Sequence, residues 1–115
     1  MADKLCLKNI IQDLLVFVKT NHQVQQAFQL LANKSCTTVI QDKDIFFHLV
    51  TRFCAKTQKS LVSLVGYQPI GEMFTDIPLI LARYSILLHM FANYAKIEAE
   101  ELVWNVAELR INSSD

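Results

Sequence analysis

The chain has 115 residues, enough for one domain with its own hydrophobic core and too few for two. Its 11 basic residues balance its 11 acidic residues, so no long-range field attracts nucleic acid or anionic lipid. Apolar residues make up 52% of the chain and charged residues only 19%, and we expect part of this apolar excess to lie at the surface, under a partner or a second copy.

The cysteines and the longest apolar stretch predict where the protein is found. Cys6, Cys36 and Cys54 are odd in number, lack CxxC spacing and follow no signal peptide, which predicts an intracellular protein, cytoplasmic or nuclear. The apolar stretch 77–91 is interrupted by an arginine and a histidine, and it is shorter than the ~20 residues that cross a bilayer. We therefore expect no membrane span.

The chain begins with two amphipathic patterns. Over 5–19, apolar residues recur every three or four positions, which predicts a first helix. Asn21 is a suitable N-cap for a second helix over 21–33 that folds back on the first. The polar segment 34–43 is interpreted as a loop, although its β-branched run 37–40 disfavours a helix and is compatible with an extended chain.

The middle of the chain is interpreted as two more helices. Asp42 or Asp44 caps the third, over 45–56, whose apolar residues form a stripe. The fourth, over 61–65, ends at Gly66 in a left-handed C-cap. No glycine or proline separates the two, so one continuous helix is the alternative.

The last third of the chain adds a loop and two helices. Both glycines and one proline lie within 66–76, which predicts a loop. Asp76 caps a fifth helix, with Pro78 in its first turn, where no N–H is required. The acidic residues beyond Lys96 favour the start of a sixth helix, whose apolar stripe reaches Leu109. Because no helix-breaking residue lies between them, the fifth and sixth helices are either separate or one continuous helix.

These helices predict an all-α fold, a single domain over 1–115, and three of them end in a similar motif. The motifs are Phe-Val-Lys, Cys-Ala-Lys and Tyr-Ala-Lys, and their lysines, Lys19, Lys56 and Lys96, are 37 and 40 residues apart. In this period the chain resembles HEAT and armadillo repeats, which stack helical hairpins. The resemblance implies three stacked hairpins with a concave, protein-binding surface. A compact six-helix bundle is the alternative.

Few residues are candidates for catalysis, metal binding or phosphate binding. His48 and His89 lie within predicted helices, as the phosphoacceptor of histidine phosphotransfer domains does, but the Lys-Gly pair typical of that family follows neither, which favours a structural role. The cysteines and histidines have no metal-ligand spacing, and there is no glycine-rich phosphate loop. We therefore predict no catalytic residue, no metal site and no cofactor, and we do not expect an enzyme.

The surplus aromatic residues indicate where a partner binds. Phe17 and Trp104 lie beside the stripes of their helices, and Tyr67 and Phe74 lie in the predicted loop. We expect a non-catalytic protein-interaction or scaffold module with an apolar helical face or groove, either self-associating, for example as a homodimer, or docking to another protein. The alternative is a small-molecule-binding or regulatory helical domain whose aromatic residues line an internal apolar cavity.

Overall fold

The chain folds into one mixed β-sheet with three helices packed on one of its faces. A computed structural model describes residues 7–32 and 37–111. No helix within these ranges is both long and apolar enough to cross a membrane. In chain order the elements are α1 (Leu7–Thr20), α2 (His22–Ala32), β1 (Thr37–Asp42), β2 (Ile45–Cys54), β3 (Lys59–Glu72), α3 (Asp76–Ala95) and β4 (Glu98–Arg110).

The four strands lie side by side in the order in which they occur in the chain. β1, β2 and β3 form an antiparallel meander, whose two turns each contain a left-handed residue, Lys43 and Gln58. β4 runs parallel to β3, which requires a crossover connection, and α3 provides it. α3 ends at Ala95 because Lys96 takes a left-handed conformation, and β4 begins two residues later.

The all-α prediction is wrong, and the resemblance to HEAT and armadillo repeats and the six-helix bundle are wrong with it. The segments interpreted as the third, fourth and sixth helices are strands β2, β3 and β4. β2 is rich in aromatic and β-branched residues, which pack well on a pleated sheet. Its burial also alternates: Phe47 and Leu49 are buried, whereas Phe46 is exposed and His48 is half-buried. The helical stripe of the sequence is therefore a coincidence of spacing within an apolar strand.

Both loop predictions are partly wrong for a related reason. The β-branched run within 34–43 forms β1 from Thr37 to Asp42, while residues 33–36 lie outside the described part of the chain. The predicted loop 66–76 is mostly strand, because β3 continues to Glu72. Gly66 is not a helix C-cap but an interior residue of β3, opposite Trp104 of β4.

The local signals for the other three helices are confirmed. α1 and α2 lie where the amphipathic patterns place them, and the backbone N–H of Val24 donates to Asn21 Oδ1 at 3.1 Å, as an N-cap requires. Asp76 and Pro78 lie in the first turn of α3, although Thr75 is the N-cap residue and makes no capping side-chain hydrogen bond. Helices five and six are not continuous, since the second is a strand.

The core lies between the helical layer and one face of the sheet. Tyr84 of α3 occupies its centre, with its ring centroid 5.1 Å from that of Phe47 and 5.0 Å from that of Trp104. All three helices and the four strands pack into this one cluster. Among its largest fully buried members are Leu14, Val24, Leu31, Ile40, Phe47, Leu49, Val62, Leu64, Tyr84, Leu87 and Phe91.

Gly66 allows the close approach of Trp104 that completes this core, so we expect Gly66→Ala to destabilise the fold. A Cβ at position 66 would overlap the six-membered part of the indole ring. Overpacking of this kind costs about 3 kcal/mol of unfolding free energy, measurable by urea denaturation. Gly71→Ala is the control: its Cβ would meet the flexible ends of the Ile77 and Gln68 side chains and no aromatic ring, so we expect a loss of about 1 kcal/mol or less. Equal losses in the two variants would contradict this role for Gly66.

Candidate functional site

The sheet face turned away from the helices is largely apolar, and no described element packs on it. Cross-strand pairing and the alternation of side chains assign its members, which run across all four strands. We call this surface the open face. Its residues are Val39 of β1; Phe46, His48, Val50 and Arg52 of β2; Ser63, Val65 and Tyr67 of β3; and Glu100, Val103 and Asn105 of β4.

Large apolar side chains on the open face remain in contact with solvent. Val39 is 50% exposed, Phe46 43%, Tyr67 44% and Val103 37%. Because these residues come from four adjacent strands, they form one continuous patch rather than scattered exposed residues. Monomeric proteins seldom leave a large contiguous patch uncovered, and such patches usually mark binding surfaces.

His48 lies near the middle of the open face. It is half-buried, and it pairs with Val39 of β1 on one side and Val65 of β3 on the other. Its ring packs edge-on against Tyr67, with the ring centroids 5.4 Å apart. The histidine predicted to lie on a helix is therefore on a strand, between apolar neighbours.

One end of the open face carries a small polar network. Arg52 donates to the Glu100 carboxylate, and Ser63 Oγ donates to Glu100 Oε1 at 3.1 Å. The hydrogen bond from Arg52 lowers the pKa of Glu100, with partial burial opposing the shift, and the same bond raises the pKa of Arg52. The charges of Arg52 and Glu100 thus neutralise each other, as do those of Lys59 and Glu98, which the register places at the same end of this face.

The four residues predicted from sequence to bind a partner lie in different places. Tyr67 is on the open face, and Phe74 is 59% exposed in the turn before α3. Phe17 is buried in the core. Trp104 is half-buried on the helical side, where it stacks on Tyr84 and its Nε1 donates to Gln68 Oε1 at 2.9 Å. Of the four, the structure therefore places only Tyr67 in the continuous patch.

Sequence reasoning missed most of the open face. Phe46, His48, Val65 and Val103 were assigned to helices, and nothing in a helical interpretation brings them together. The burial of β4 alternates, since Leu102, Trp104 and Val106 are half-buried and the residues between them are exposed, but the apolar Val103 conceals this alternation in the sequence.

A second feature is a cavity of about 370 Å³ beside the β1–β2 turn. Arg83 of α3 lines it, with Nη2 3.7 Å from Asp42 Oδ2 and its guanidinium group 4.8 Å from the centre of the Phe17 ring. The Nε of Arg83 is buried and has no hydrogen-bond partner among the described residues. The guanidinium therefore has donor capacity beyond the Asp42 contact. The other lining residues are Lys43, Asp44, Ile45, Gln68, Pro69 and Ile70.

A buried phenol contacts Asp42, one of the residues that line this cavity. Tyr84 Oη donates to Asp42 Oδ2 at 2.6 Å. Burial raises the pKa of Tyr84, and the hydrogen bond to Asp42 raises it further, so the phenol stays protonated and acts as a fixed donor.

The remaining cysteine and metal-ligand candidates do not converge. Cys54 is a free thiol at the end of β2, where hydrogen bonds from Thr57 lower its pKa; Cys6 and Cys36 lie outside the described residues. Over 7–32 and 37–111, no three His, Cys, Asp or Glu side chains form a group that could hold a metal ion. His89, which we considered together with His48 from the sequence, is exposed on α3, with Nδ1 2.8 Å from the carbonyl oxygen of Ser85.

Comparison with known proteins shows a partial similarity to an enzyme. Over 50 residues the chain is 40% identical to a thymidylate synthase of Corynebacterium aurimucosum, a match that covers 44% of this chain and 19% of that enzyme. The chain therefore spans only about a fifth of the curated protein that it matches. No model of a known protein family matches the chain.

The Tyr84–Asp42 hydrogen bond joins α3 to the end of β1, and we expect Tyr84→Phe to weaken the fold. The change leaves the ring packing in place but removes a donor to a carboxylate, which costs about 2 kcal/mol of unfolding free energy. Tyr94→Phe is the matched control, because Tyr94 is exposed on the same helix. We expect urea unfolding to show a loss in the first variant and almost none in the second. Equal stabilities in both would show that the bond contributes little.

Proposed function

We propose that this chain is a non-catalytic protein-interaction module and that its contact surface is the open face of the sheet. The observation that carries the proposal is the continuous exposed apolar patch across all four strands. We expected an apolar helical face, and α1 does expose Leu7, Leu15 and Val16, but the patch that spans several elements lies on the sheet. Tyr67 is the one residue of the predicted binding set that belongs to it.

The sequence of the outward positions supports this function. An antiparallel sheet with one face in water normally alternates apolar inward residues with polar outward ones. In β2 the outward side chains are instead Phe46, His48 and Val50, followed only at the end by Arg52. This pattern is typical of a sheet that is covered on both faces. We further propose an intracellular location, as the cysteines predict.

A charge introduced at the centre of the β4 part of the open face tests the proposal. We expect Val103→Asp to reduce both the concentration-dependent association of the chain, measured by sedimentation velocity, and its binding of an apolar fluorescent dye. The physical reason is that a carboxylate has to be desolvated when an apolar surface covers it.

Val16→Asp is the control, because Val16 is also an exposed valine but lies on α1, in the helical layer. We expect this variant to behave as the unmodified chain. If both variants leave association and dye binding unchanged, the open face is not a contact surface. Circular dichroism establishes that each variant is folded.

We propose a second candidate function, binding of a thymidylate-like nucleotide in the cavity beside Arg83. Two observations favour it: the partial similarity to an enzyme named for thymidylate, and a guanidinium group on the cavity wall whose Nη2 lies 3.7 Å from Asp42, farther than a hydrogen bond. Guanidinium groups bind phosphate oxygens well. The cavity is polar at this wall, unlike the internal apolar cavity that we considered from the sequence.

Thermal unfolding with added thymidylate tests this candidate. Binding to the folded state at about 100 times the dissociation constant stabilises it by about 2.7 kcal/mol, which raises the melting temperature. We expect Arg83→Gln to abolish the rise and Arg110→Gln, which changes an exposed arginine at the end of β4, to retain it. No rise for the unmodified chain at millimolar thymidylate would exclude this candidate and leave the interaction function untouched.

A further inference from the structure

We propose that the open face is covered by a second copy of this chain, and that the association is linked to protons through His48. This inference rests on the proposed function, since it names the occupant of the same surface and what controls it. It concerns a pair of identical faces, each presenting the same residues to the other.

The charges of the surface favour an identical partner. The chain carries no net charge, so two copies do not repel each other at long range. On the open face, Arg52 and Glu100 already form an ion pair within one copy. The surface therefore presents no unpaired charge that would select an oppositely charged protein. Its best match is another neutral, apolar face, and a second copy of the chain supplies one.

The dimensions of the sheet fit a stable dimer. Four strands about 4.8 Å apart and a ten-residue β2 rising about 3.3 Å per residue give a face of roughly 19 by 33 Å. The projected area is about 600 Å². The accessible area is larger because side chains protrude from the sheet, and it is close to the ~800 Å² per partner of standard interfaces. Two sheets commonly pack in this way, face to face with interdigitated side chains.

The open face also has a depression into which side chains of a second sheet could pack. A groove of about 390 Å³ lies at the end opposite the Arg52–Glu100 pair, between Phe46, Tyr67 and Asn105. Its walls are mostly apolar, since Pro69 and Ala107 complete the rim. A large side chain from a second copy would fill this groove and bury the exposed edges of both aromatic rings.

His48 has no carboxylate beside it that would stabilise a positive charge. From β1 it faces Val39, and from β3 it faces Val65 and the titratable phenol of Tyr67. On its own strand the nearest charged group of this face is Arg52, four residues away and paired with Glu100 of β4. The described helices lie on the other side of the sheet and place no charged group on this face.

This environment fixes the direction of the pH dependence. In a single copy His48 is half-exposed, and water can solvate its protonated ring. In the dimer the same ring lies between two apolar faces, where a charge is costly, and each interface would hold two such charges. Protons are therefore released on association. The dimer therefore weakens at low pH, when His48 gains a proton.

Sedimentation equilibrium of the full chain at pH 8.0, 7.0 and 5.5, at constant ionic strength, tests the proposal. We expect a dimer at pH 8.0 and a dissociation constant at least tenfold higher at pH 5.5. A tenfold rise is the change expected when association makes the protonation of His48 ten times less favourable. In His48→Gln we expect the dimer to persist with less than a threefold change over the same range. His89→Gln, which alters the exposed histidine on α3, should keep the full pH dependence.

The alternative outcomes separate this inference from the proposed function. A chain that stays monomeric at pH 8.0 and high concentration overturns the second copy as occupant. If that monomer binds an apolar dye and Val103→Asp abolishes the binding, the open face still serves a different protein. A monomer without dye binding overturns both. A dimer whose affinity does not change with pH, or in which His48→Gln retains the change, overturns the proton linkage. Circular dichroism at each pH confirms that the chain is folded.

Discussion

The structure depends on the packing of Tyr84 between the helices and the sheet. Its ring contacts Phe47 of β2 and stacks on Trp104 of β4, and its hydroxyl group reaches Asp42 at the end of β1. One side chain of the crossover helix thus touches three of the four strands. Arg83, the preceding residue, places its guanidinium group over Phe17 and so attaches α1 to the same point. Because the phenol is buried and hydrogen-bonded, its position fixes how α3 lies across the sheet.

This packing accounts for the one-sided architecture. β4 can lie beside β3 only because Gly66 leaves space for the Trp104 ring, and β4 adds a parallel strand to an antiparallel meander. All three helices then cover the face that holds Tyr84, and their buried side chains pack into that core. The same arrangement leaves the opposite face to the outward residues of the strands. The uncovered apolar surface is therefore a consequence of where the helices are anchored.

The sequence predicts the parts of this fold that local signals determine. The stripe of α1, the Asn21 cap of α2 and the Asp76 and Pro78 pair of α3 are all properties of neighbouring residues. The secondary-structure prediction is wrong for β2 and β3 because both strands are apolar on both faces. A continuous apolar run cannot be distinguished from a buried helix by periodicity alone. The parallel pairing of β4 depends on contacts made at long range.

The candidate site was accessible from the sequence only through Tyr67. Its aromatic ring marked it as a contact residue, although the segment around it was interpreted as a loop. His48 and Val65 become neighbours through the register between β2 and β3, which no pattern within either segment specifies. The apolar excess of the composition correctly indicates exposed apolar surface, but composition carries no information about which layer of the fold exposes it.

The free edge of β4 limits how copies of this chain can assemble. This thirteen-residue strand pairs with β3 alone, so within the described chain its outer backbone groups are open to another strand. Four glutamates, Glu98, Glu100, Glu101 and Glu108, lie along it with a single basic residue, Arg110. Three of these glutamates form ion pairs, with Arg52, Lys59 and Arg110. Charged side chains along an edge would have to lose water when another strand covers them, which is how natural sheets avoid growing into fibres. Contact between identical faces closes after two copies, and so does contact between two β4 edges, whereas contact between β4 of one copy and β1 of the next would continue without limit. The acidic edge therefore favours a closed assembly over an open one.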